Sequence, residues 1–221
     1  STKKKYKMKK VDFFIIGAQR AGTSFLRYHL NLHPKIFIPK QEPIFWCKDM
    51  NDLSEIKTFN DYINLFGNNL EDENKVCGEK SGNYLFSADA FLNIWDYNKD
   101  AKIIAILRNP IDAIISYHNI QKLNGFEHIN DVEKAWDLQK IRSETNREVQ
   151  YFVKKEKLRL QYKYIYQYDI HIKKFIDKFK KNQVKIVFYD DVLNNKKKLF
   201  EELFAFLKLE NHAIEDFKFV N

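Results

Sequence analysis

The sequence predicts an α/β fold of three layers: a central parallel β-sheet flanked by helices. Short runs at 11–16, 102–107 and 183–189 are too apolar to have one wet face, as expected of strands buried on both sides. Segments of helical periodicity lie between them, the alternation that gives a parallel sheet. The first run passes through a glycine turn straight into a helix that opens with Thr23 and Ser24.

Each element has a local reason. A lysine-rich tail covers 1–10, and one domain is expected over 11–221. After the first strand, helical spacing runs from 23 to 32, with Phe25, Leu26, Leu30 and Leu32 on one side, and stops at His33 before Pro34. Pro39 and Pro43 frame a loop, and a short amphipathic helix is expected over 59–66, ended by Gly67. A strand over 75–79 leads to the loop 80–83, and a helix follows over 87–97. The strand 102–107 closes at Arg108, after which Pro110 occupies a first helical turn, where its missing N–H costs nothing. The highly charged tract 131–163 reads as one long helical stretch, followed by a helix over 168–180, the strand 183–189 and an amphipathic helix over 194–209. Alternate tyrosines at 162, 164, 166 and 168 suggest a strand-like or lid segment near a ligand.

Composition narrows the function without choosing it. The chain has 221 residues, 44% hydrophobic content and a formal charge of +8, so it can bury a core and suits an anionic partner. Its two cysteines form no disulfide framework and no zinc-type cluster, and no segment approaches the about 20 apolar residues of a membrane span. A reducing, cytoplasmic location is expected. The spacing of His29 and His33 lacks the intervening Glu and third ligand of a metal site, so no metal is expected.

The chemistry concentrates at the carboxyl ends of the strands, where open parallel sheets bind ligands. Gly17 and Gly22 let backbone N–H groups converge on an anion, the helix start adds free N–H groups, and Arg20 adds charge. The spacing from Gly17 to Gly22-Thr23-Ser24 nearly matches a nucleotide-binding loop, but Thr23 stands where that loop has lysine. This argues against a triphosphate. Arg108 and Ser116 suit a second phosphate, provided the turn at Asn109-Pro110 brings them to one pocket.

Together these segments resemble the sulfotransferases that use 3′-phosphoadenosine 5′-phosphosulfate (PAPS). The resemblance covers 11–209 and rests on 14–24, 107–116, 40–45, 79–84, 186–192 and 203–207. The segments 40–45 and 79–84 are closer to the Golgi and heparan-sulfate branch than to the cytosolic small-molecule branch. The resemblance implies a P-loop-NTPase-like sulfotransferase fold, with Gln19, Arg20, Ala21, Gly22, Thr23 and Ser24 around the 5′-phosphosulfate and Arg108 and Ser116 at the 3′-phosphate. It implies Glu42 as general base, with Arg20 and Lys80 neutralising charge in the reaction. Arg20 replaces the lysine of many relatives, which favours electrostatic clamping over proton donation. The sequence ends where relatives begin a basic loop over the 3′-phosphate, so an incomplete nucleotide site or a trimmed chain is expected.

Other readings remain open at the level of sequence. The scaffold could serve a Mg²⁺-dependent nucleotide phosphotransferase, or the basic surface could hold a polyanion without catalysis. The tract 140–163 could line a polyanion groove or be a solvated helix face. The acceptor is a glycan, a lipid or a small molecule, with no nucleic acid partner expected. The oligomeric state is not encoded, and the luminal domain of a Golgi-type enzyme is the alternative to a cytoplasmic location.

Overall fold

The computed structural model of the chain describes residues 9–145, 147, 149 and 157–218, with backbone alone at 51 and 52. Most of the basic tail, and the last three residues, lie outside that range. Five strands form one parallel sheet: β1 (Phe13–Gly17), β2 (Ile36–Phe37), β3 (Val76–Lys80), β4 (Lys102–Leu107) and β5 (Val184–Phe188). Their order across the sheet is β2-β3-β1-β4-β5. β1 is buried along its whole length because β3 and β4 pair with it on either side. Phe13 lies opposite Gly78 in β3, and a Cβ on Gly78 would stand 2.1 Å from the Phe13 ring. The glycine is what admits the ring.

Ten helices connect and cover the sheet among the described residues: α1 (Thr23–Leu30), α2 (Phe59–Asn64), α3 (Ala90–Tyr97), α4 (Pro110–Leu123), α5 (Val132–Asp137), α6 (Gln139–Glu144), α7 (Tyr162–Ile165), α8 (Tyr168–Lys178), α9 (Tyr189–Asn194) and α10 (Lys196–Phe206). Their starts follow local chemistry. Thr58 and Asp61 form a reciprocal capping box on α2, and the Asn109 side chain accepts from the Ile111 amide with Pro110 in the first turn of α4. Apolar faces then pair: Phe25 of α1 meets Phe200 of α10 at 6.0 Å, and Phe91 of α3 meets Phe175 of α8 at 6.1 Å. The result is the three-layer fold expected.

Because β3 and β4 flank β1 on opposite sides, the chain reverses direction across the sheet at β1. In a parallel sheet this opens a crevice at the carboxyl end of that strand. The turn after β1 is the glycine loop.

Several local expectations are corrected. β2 is an additional edge strand of two residues, too short to leave a pattern in the sequence. β5 is only half-buried, with Phe188 56% exposed, because β4 is its sole partner at the sheet edge. Leu32 is exposed since α1 ends at Leu30. The tract from 131 is not one helix: α5 and α6 meet at Leu138, and α6 ends at Thr145, whose hydroxyl donates to the Ile141 carbonyl at 2.7 Å. The alternating tyrosines form no strand. Tyr162 lies in the turn of α7, and the hydroxyls of Tyr162, Tyr164 and Tyr166 donate to Glu127, the Phe86 carbonyl and the Gln19 carbonyl. Internal acceptors, reached from helical backbone, override the period of two.

Candidate active site

A cleft of about 250 Å³ opens at the carboxyl end of β1, and Gln19, Arg20, Gly22, Thr23, Ser24, Glu42, Lys80, Arg108 and Ser116 line it together. At its floor, Gly22 caps α1 with a φ of 99° and contributes no side-chain cap, and the first turn of α1 carries no acidic residue. The amides and positive dipole end of that helix are thus directed at the cleft, an arrangement suited to an anion. A Cβ on Gly22 would come within 3.2 Å of the Tyr189 ring, so the loop depends on glycine for fit as well as for its left-handed backbone. Ala21 is fully buried, and its amide bonds to the Ala18 carbonyl rather than facing the cleft.

Within the cleft, the Arg20 Nε donates to Ser116 Oγ at 3.0 Å, and Arg108 Nη1 donates to the Arg20 carbonyl at 3.3 Å. The guanidinium of Arg108 lies 4.7 Å over the Tyr189 ring. The turn at Asn109-Pro110 therefore brings Arg108 and Ser116 to one pocket, as their spacing required. Two guanidinium groups beside a hydroxyl can bind an anion through paired N–H donors.

In the same cleft, Lys80 Nζ lies 2.8 Å from Glu42 Oε2 and 3.5 Å from Ser24 Oγ. The second Glu42 oxygen accepts from the Gly82 amide at 2.6 Å. A Cβ on Gly82 would stand 3.0 Å from the Gln19 carboxamide, which itself donates to Asn83 Oδ1. Lys80 thus bridges the helix end that would face an anion and the carboxylate that would face a second reactant. Just beyond Glu42, Ile44 has a φ of 51°, a left-handed conformation that a β-branched residue adopts only when its surroundings impose it.

Beneath this pair, Glu79 is fully buried. It accepts hydrogen bonds from the hydroxyls of Tyr62 and Tyr84 and, at 3.3 Å, from Trp46 Nε1. Burial pushes its carboxyl up to about 7, against the pull of those three donors.

The model of the sulfotransferase domain family matches residues 10–220. The chain belongs to that family. It is 29% identical over 132 residues, 53% of its length, to the membrane-associated sulfotransferase kil1 of Dictyostelium discoideum. It is 31% identical over 102 residues, 46% of its length, to a mouse heparan sulfate glucosamine 3-O-sulfotransferase, 3A1. The matched stretches span 27% and 24% of those relatives' own lengths. Among solved structures, a sulfotransferase from Alicyclobacillus acidocaldarius superposes with a TM-score of 0.81 at 23% identity, covering 96% of this chain and 86% of its own. A mouse sulfotransferase complexed with PAP superposes at 0.56 and 16% identity over 91% of this chain and 60% of its own. The fold is the P-loop-like fold of these sulfotransferases.

Sequence reading located most of the cleft lining of this family member but missed three contributors. Tyr189 reaches the cleft from the start of α9, and Phe25 and Val192 also line it. The signal for Tyr189 was available: an aromatic residue at the carboxyl end of a strand, on the edge where ligands bind. Glu79 carried no such signal, since its role depends on which three donors the fold gathers around it.

Proposed function

We propose that the chain transfers a sulfuryl group from PAPS to a hydroxyl or amine acceptor by in-line displacement, acting as one domain over 11–221. The arrangement of Lys80 between Glu42 and Ser24, in the same cleft as Arg20, Arg108 and Ser116, carries this reading. In it, Gln19 to Ser24 hold the 5′-phosphosulfate while Arg108 and Ser116 hold the 3′-phosphate. Glu42 takes the acceptor proton as the new S–O bond forms and the bridging S–O bond to the phosphate breaks, releasing adenosine 3′,5′-bisphosphate. Lys80 and Arg20 neutralise the charge that builds on the equatorial and leaving oxygens. No step needs a metal ion. The solved sulfotransferase complexed with PAP supports the nucleotide assignment, and Thr23 in place of a loop lysine disfavours a triphosphate.

The acceptor class stays a glycan, a lipid or a small molecule, the relatives named for heparan sulfate favouring the first. No helix among the described residues is long and apolar enough to cross a membrane. Cys47 and Cys77 are buried free thiols, which supports a cytoplasmic over a luminal location.

Labelled PAPS with a panel of hydroxyl and amine acceptors tests the transfer, and melting temperatures with adenosine 3′,5′-bisphosphate against ATP test the nucleotide. Stabilisation by ATP alone would favour the phosphotransferase reading. Glu42→Gln should lower kcat by about a hundredfold or more while the Kd for adenosine 3′,5′-bisphosphate changes less than about twofold. An unchanged kcat would remove Glu42 from the role of base.

A further inference from the structure

We propose that Glu79 is a positioning residue for the Glu42–Lys80 pair, tying together the two loops that hold it; the proposal rests on the sulfotransfer reading above. Its three donors come from three separate segments. Trp46 belongs to the loop just past Glu42, Tyr62 to α2, and Tyr84 to the turn just past Gly82. The Gly82 amide is what holds the second oxygen of Glu42. The loop after Glu42 and the turn after Lys80 are therefore joined twice: in the cleft by the carboxylate of Glu42, and beneath it by the carboxylate of Glu79. Neighbouring strand residues point to opposite faces, so Glu79 acts through these loops from the far side of β3 and touches no substrate.

Two further observations support a positioning role. Ile44, between Glu42 and Trp46, is held in a left-handed conformation, and the two ties fix the chain on either side of it. The partners of Glu79 among the described residues are all neutral donors. A buried acid without a counter-ion is a poor way to gain stability, and an apolar residue of similar volume would usually serve better. What a carboxylate supplies that an apolar residue cannot is two oxygens that fix three donors in direction as well as distance.

Glu79→Gln is the test, because its carboxamide keeps the volume but replaces one acceptor oxygen with an NH₂ group. Expected are a fall in kcat of about tenfold to a hundredfold, a Kd for adenosine 3′,5′-bisphosphate within twofold of wild type, and faster hydrogen exchange at the Gly82 amide. A kcat within twofold of wild type, or unchanged exchange at Gly82, overturns the proposal. So does a parallel loss of kcat and nucleotide affinity with a lowered melting temperature, which would mark Glu79 as a general structural support. If Glu79→Gln does not fold, Tyr84→Phe removes one donor and keeps the ring, and the same three readings apply. Should the wild-type protein bind the nucleotide yet sulfate no acceptor, the functional reading fails while the exchange at Gly82 still decides the anchoring.

Discussion

Glu79 and Glu127 are both buried glutamates, and their carboxyls are shifted in opposite directions. Each sits in the interior and accepts from tyrosine hydroxyls, Glu79 from two and Glu127 from Tyr162 at 2.7 Å. Burial pushes both carboxyls up. At Glu127, Arg142, binding with both terminal nitrogens at 2.7 and 2.8 Å, joins the Tyr162 hydroxyl and the Ile129 amide in more than reversing this, so its carboxyl lies below the usual range. Glu79 has only neutral donors, and its carboxyl rises to about 7. Deeper desolvation at Glu79 and the guanidinium at Glu127 together separate the two: one carboxyl is raised among neutral donors and the other is lowered in an ion pair. The closed pair holds α6 against the loop at 127, and Glu79 joins the loops that carry Glu42 and Lys80.

The largest effect should come from opening the closed pair. Arg142→Met leaves Glu127 buried without its cation, and urea unfolding should report a loss of about 3–5 kcal/mol. A loss below about 1 kcal/mol would mean that Tyr162 and the Ile129 amide satisfy the carboxylate unaided, and the contrast with Glu79 would collapse.

A smaller effect lies in the pH dependence, where the two glutamates act in opposite directions. Glu79 is raised from 4.5 to about 7, so its contribution to stability is fully present below pH 4.5 and is lost as pH rises through about 7. Glu127 is lowered, so its contribution is present above pH 4.5 and is lost as acid protonates it in the folded state. Urea midpoints measured from pH 4.5 to 8 should therefore fall less with rising pH in Glu79→Gln than in wild type. Equal slopes would mean that the carboxyl of Glu79 ionises in the fold as it does in the unfolded chain.

The smallest effect sharpens the role of burial. Lys173 and Asp177 pair at 2.7 Å on the exposed face of α8. Asp177→Asn should shift stability by less than about 0.5 kcal/mol in the same assay. A larger loss would show that pairing by itself, without burial, carries the energy assigned to Arg142.

The sequence made legible whatever depended on neighbours in the chain. The apolar run of β1, the glycines after it, the hydroxyls opening α1 and the proline turn after Arg108 are all local, and the cleft assembled from them follows the general topology of parallel sheets. Legibility failed where distant contacts decide. Arg142 lies in a tract so charged that a solvated face or a polyanion groove was expected, yet it is fully buried because Glu127 meets it from another segment. The tyrosines at 162, 164, 166 and 168 alternate like a strand, but the hydroxyls of the first three are claimed one by one by acceptors from other parts of the fold. Glu79 stood in the segment 79–84 that carries the resemblance, but its partners could not be read there, since none of the three adjoins it in sequence.

The contact between Gly22 and Tyr189 has a consequence for the order in which this protein is made. The anion loop precedes β3 and β4 in the chain, but the ring that packs on it stands at the start of α9, directly after the edge strand β5. A ribosome will have released β1, β3 and β4 long before Tyr189 emerges. Until then the nascent chain holds the loop's sequence without the wall it closes against, so the anion site reaches its final shape only after β5 and the start of α9 have emerged.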